Sequence, residues 1–121
     1  MTVEFEHATL VRITKRIGYA IGYFELGMAE QAIQWLDSLD QLGELGPFKL
    51  AAEMIRAEAL KAQKQYDAAA LSLEAAAKML PAPYDQSVWL ALSLCYQQAG
   101  DTQRAINSLG CARGASPSQA S

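Results

Sequence analysis

The sequence predicts an all-α chain in which three antiparallel helix hairpins stack side by side as a helical solenoid. Three observations carry that expectation. Apolar residues recur at three- and four-residue steps along most of the chain, and no segment shows clean strand alternation. A spaced pattern near the C-terminus is echoed more faintly by two upstream segments, and similar units of about 34 residues are the mark of a helical solenoid. Alanine is abundant and valine scarce, a bias toward helix over sheet.

The first helix is expected from about Phe5 to Leu26, with Leu10, Ile13, Ile17, Ile21 and Phe24 on its apolar stripe. Gly18 and Gly22 interrupt it, each costing about 1 kcal/mol relative to alanine. Spaced four apart, they share a face and would let a neighbouring backbone come close. Gly27 offers a left-handed stop. The second helix is expected from about Met28 to Leu42, with Ala32, Ile33, Leu36 and Leu39 facing inward. Gly43, Gly46 and Pro47 then break the chain. A third helix spans about Phe48 to Gln63 and a fourth about Tyr66 to Leu80, ended by Pro81 and Pro83. Asp85 or Ser87 can cap a fifth helix reaching Ala99. Gly100 ends it, and Asp101 caps a sixth that finishes near Arg113. Residues 1–12 read as an N-terminal helical extension and 114–121, small and polar, as a disordered tail.

Composition narrows the function classes. A length of 121 residues suits one domain with one modest core, and a hydrophobic fraction of 51% reads as globular. The net charge of −3 and pI near 5.0 lack the footprint of a nucleic-acid binder. The densest basic cluster, Arg12, Lys15 and Arg16, reads as a solvated helix face. The first residues carry acids where a signal peptide needs positive charge, and no apolar run approaches the ~20 residues of a membrane span. A cytoplasmic location is therefore expected. Cys95 and Cys111 are too few for a disulfide framework and read as reduced, buried thiols.

The pattern from Gln86 to Gln119 resembles the tetratricopeptide repeat, whose slots are filled here by Trp89, Leu92, Ser93, Tyr96, Ala105, Leu109 and Pro117, with Ala112 at a further small-residue site. Serine replaces that family's glycine and leucine its phenylalanine. A second unit, 50–83, matches mainly through Tyr66, Ala69, Leu73, Ala76 and Pro81, and carries Glu53 and Arg56 where bulky apolars are usual. A first unit, 13–46, supplies Tyr19, Ala20, Tyr23, Gly27, Ala32 and Leu36 but lacks the closing proline. The resemblance implies a right-handed superhelix of three hairpins, in which small residues sit where helices cross and large ones fill around them.

The resemblance also implies a concave groove lined by the first helix of each hairpin. The side chains expected there are Ile17, Ile21 and Phe24 from the first unit, Met54, Glu58 and Lys61 from the second, and Leu90, Leu94 and Gln97 from the third. An apolar lining open to water suggests a binding face for a protein or peptide partner. The alternative is that residues 2–12 cover it. Family members that clamp a terminal carboxylate use lysines and asparagines on these helices, and no such clamp can be assembled from the residues present. The end of the stack forms a second candidate surface at Ile106 and Leu109, for a homodimer or a partner at one end, against the alternative that the last helix is polar enough to stand alone.

Catalysis is not expected. The single histidine, His7, has no nucleophile placed near it, and the carboxylates show no paired arrangement. Phosphate-binding glycine motifs are absent, and two cysteines and one histidine at distant spacings make no zinc site, so no cofactor or metal is expected. The expected function is a non-catalytic adaptor or scaffold. The alternatives are a small acidic secretion-type chaperone and a self-associating building block.

Overall fold

A computed structural model of the chain describes residues 6–112. Among these there are six α-helices and no strand: α1 His7–Glu25, α2 Ala29–Asp37, α3 Phe48–Ala62, α4 Tyr66–Lys78, α5 Gln86–Ala99 and α6 Thr102–Ala112. Helix-rich composition and three- to four-residue apolar spacing thus give the all-α class directly. Each helix packs against its neighbours in sequence, and α1 also touches α3. The expected N-terminal extension is continuous with α1 from His7 onward. Pro117 and residues 114–121 lie outside the described residues.

The three pairs α1–α2, α3–α4 and α5–α6 turn in the same way. Gly27, Lys64 and Gly100 occupy equivalent places and all have positive φ, at 78°, 61° and 85°. In each turn the following residue donates its backbone N–H back to the preceding helix: Met28 to Tyr23, Gln65 to Leu60 and Asp101 to Tyr96, at 2.8–2.9 Å. That bond closes the orphan carbonyls of a helix end and reverses the chain within a few residues. Gly100 and Asp101 act as the sequence predicts, with the Asp101 carboxylate accepting the Arg104 backbone N–H at 3.1 Å. Lys64 takes the glycine's place without a glycine's freedom.

The core repeats in the same register. Ala20, Ala57 and Ser93 are buried at equivalent points of α1, α3 and α5, and Leu36 and Leu73 at equivalent points of α2 and α4. Ser93 fits a close crossing because its hydroxyl donates to the Ala105 carbonyl of α6 at 2.8 Å. One buried cluster gathers around Leu73, Leu92 and Tyr96, and another around Ile13, Leu36 and Leu39.

Four details depart from the sequence expectation. The second helix ends at Asp37 and continues as a 3-10 turn over Ser38–Leu42, which buries Leu39. Ser38 explains the change: its hydroxyl donates to the Trp35 carbonyl, and its own carbonyl accepts Arg16 from α1 at 2.7 Å. The fifth helix has no side-chain cap, because the Asp85 carboxylate instead accepts the Trp89 indole N–H at 3.0 Å and Ser87 lies inside the helix. No backbone approaches Gly18 or Gly22: among the described residues nothing lies within 4 Å of where a Cβ would sit on either. Finally, Glu53 is buried in α3 as a member of an ion network. It pairs with Lys49 at 3.1 Å and with Arg56, which also reaches Asp37 at 3.2 Å and so ties α3 to α2.

Candidate functional site

The expected groove residues fall on α1, α3 and α5, each at the same register of its helix. The structure divides them into two kinds. Ile17 and Met54 are half buried and pack on the core clusters, so they serve the fold at least as much as any surface. Phe24 is also half buried. Ile21, Leu90 and Leu94 are exposed, Leu94 to 55% and Leu90 to 47%. Glu58 and Lys61 form an ion pair at 3.0 Å along α3, which is exposed and worth little to stability. Gln97 is exposed on α5.

Lys61 and Leu94 are brought together. They line one open cleft of about 330 Å³ with Tyr66, Ala91, Cys95 and Gln98, between the end of α3 and the middle of α5. The cleft has an apolar wall, one cation at its rim and a thiol in its floor. Burial pushes the Cys95 thiol above its ordinary value, so it stands there as a neutral apolar group. The arrangement suits an apolar side chain with polar atoms at its edge.

A second cleft, of about 610 Å³, was not legible in the sequence. It is walled by α4, α5 and α6 and lined by Leu71, Glu74, Trp89, Tyr96, Arg104 and Cys111, among others. Its polar groups satisfy one another. Lys78 donates to Glu74 at 2.9 Å, the Tyr96 hydroxyl points at the other Glu74 oxygen at 3.4 Å, and the Arg104 guanidinium lies 5.8 Å from the centre of the Tyr96 ring. The Lys78 hydrogen bond holds the Glu74 carboxyl below the usual carboxylate range, burial opposing it. Burial first, and the Glu74 charge second, push the Tyr96 phenol up. Burial likewise raises the Cys111 thiol. Only the setting of three helices against one another brings Glu74, Tyr96 and Arg104 together, since each comes from a different one.

At the end of the row Ile106 is exposed and Leu109 half buried, as the sequence suggests. His7 opens α1 and is exposed. Cys95 and Cys111 are free and buried. Among the described residues no group of three His, Cys, Asp or Glu side chains is placed to hold a metal ion, and no helix is long and apolar enough to cross a membrane. Compared with known proteins, the chain matches no family model, no curated protein and no solved structure.

Proposed function

We infer that the chain is a non-catalytic binding module built as a tetratricopeptide-like right-handed superhelix, which holds a polypeptide segment in a groove along α1, α3 and α5. The repeat reading draws support from the three equivalent turns at Gly27, Lys64 and Gly100 and from the equivalent buried positions Ala20, Ala57 and Ser93. The observation that carries the binding reading is the exposure of Ile21, Leu90 and Leu94 on the first helices of hairpins, beside the cleft that Leu94 shares with Lys61. Large apolar side chains left exposed on the first helices of the outer two hairpins mark a surface that another chain covers. The favoured ligand is an extended or helical segment with apolar anchors and an acidic group within reach of Lys61.

The test is selection of peptides from a random display library on the intact protein, followed by fluorescence anisotropy against the Ile21→Asp/Leu94→Asp variant. Selected peptides should bind the variant at least about tenfold more weakly, since two anchor contacts are removed, while its circular dichroism stays helical. Peptides that bind both proteins equally would defeat the groove reading.

A further inference from the structure

Because turns and core positions repeat in register, every face of the last hairpin has counterparts within the same chain. Ile33 and Ala70 hold equivalent places where α2 meets α3 and α4 meets α5. Ile33 packs half buried on the core, and Ala70 is only 1% exposed. Their counterpart on α6 is Ile106, at 58%. The opposite end shows the complementary lack. Ala59 and Cys95 are buried where α3 and α5 meet the preceding hairpin, whereas their counterpart Gly22 has open space above it. Beside it Tyr19 is 48% exposed, although its counterpart Leu92 is buried.

Each end therefore displays the half of an internal junction that the other end lacks. We propose that this protein self-associates head to tail, with α6 of one copy seated on α1 of the next in the geometry of the α2–α3 and α4–α5 junctions. The occupant of both surfaces is a second copy, because the internal junctions already show what covers these positions: the adjoining helix of a neighbouring hairpin. Sizes agree with that placement. In the α4–α5 junction Glu74 stands beside Tyr96; the α6 counterpart of Glu74 is Gly110, which leaves room for the next copy's Tyr23, the α1 counterpart of Tyr96. Lys15, the exposed counterpart of the buried Ala52 and Val88, sets a charge within the contact, so it is weaker than the internal junctions and reversible. The two surfaces differ, so every added copy leaves an end free and growth does not stop at two. This proposal rests on the repeat register and is independent of peptide binding in the groove.

Sedimentation velocity on the full chain, from micromolar to millimolar concentration, tests it. The average mass should rise with concentration from one chain of 13.1 kDa past two. Ile106→Asp blocks one end and Gly22→Glu the other; each should weaken self-association at least about tenfold, with helicity retained because Ile106 is exposed and a Cβ added at Gly22 meets no neighbour. Mixed in equal amounts, the two variants should form a dimer and stop, since one keeps a free head and the other a free tail. A wild-type chain that stays monomeric throughout overturns the proposal, and so does a mixture that stays monomeric. Loss of association in Ile106→Asp alone would assign a symmetric α6–α6 pair instead. A wild-type chain that associates only after residues 1–5 are removed would assign the α1 face to the chain's own N-terminus.

Discussion

Replacing Gly18 and Gly22 by alanine should make the isolated chain markedly more stable. Both glycines lie well inside α1, and neither has a positive φ that an L side chain would resist. An added Cβ meets nothing within 4 Å at either site, so neither substitution forces a neighbour to move. What remains is the backbone term: glycine in a helix interior is about 0.8–1.0 kcal/mol worse than alanine. The pair should therefore add about 2 kcal/mol. For a domain of this size that corresponds to a rise in Tm of roughly 8 °C. The assay is thermal unfolding followed by far-ultraviolet circular dichroism, at a concentration low enough for single chains. Each single variant should supply about half the shift. An unchanged or lower Tm would show that something packs on this face of the folded monomer, and the reasoning from open space would fail. The same substitutions should leave association between copies unweakened, because Ala91 and Ala59 hold the counterpart places in the internal junctions, so the pair separates monomer stability from assembly.

Lys64→Gly should raise stability by about 1 kcal/mol in urea unfolding, because a non-glycine residue held at positive φ in that turn carries a steric cost its counterparts Gly27 and Gly100 avoid; an unchanged midpoint would mean the lysine side chain offsets it. Removing Arg56 by Arg56→Met should cost about 2 kcal/mol by leaving the buried Glu53 with Lys49 as its remaining partner, and the double variant Glu53→Leu/Arg56→Met should recover most of that loss. If the double variant is worse than the single one, the network is a net stabiliser. Glu74 gives a pH dependence. Its folded pKa is lowered from 4.5, chiefly by Lys78, so its contribution is fully present above the unfolded value and is lost as pH falls through the lower folded value. Glu74→Gln should thus flatten the wild-type loss of Tm below about pH 4.5, by a small amount because the pair is largely solvated; parallel curves for the two proteins would remove Glu74 from the acid response.

Much of the fold was legible because its signals are local. Gly27, Gly100 and Asp101 announce helix ends by their own chemistry, and the apolar spacing of Leu73, Leu92 and Leu36 marks the core face before any neighbour is known. The 3-10 turn at Ser38–Leu42 was hidden because Leu39 and Leu42 continue the helical stripe of α2. Lys64 gave no warning in itself, since lysine is not a turn residue. The role of Gly18 and Gly22 depended on what lies across from α1, which periodicity does not state. The same limit applies to the surfaces. Exposure of Leu90 and Leu94 follows from their place on one helix, whereas the cleft between Glu74, Tyr96 and Arg104 needs three helices set against one another.

The packing of each helix chiefly on its sequence neighbours has a consequence for how the chain opens. Stability in such a row is held at the junctions, so segments flanked on both sides outlast those flanked on one. Amide protons of α3, α4 and α5 should exchange last, and those of α1 and α6 first, as the row frays inward from its two ends. A neighbour bound at either end would slow that fraying at its own end before it altered anything in the middle.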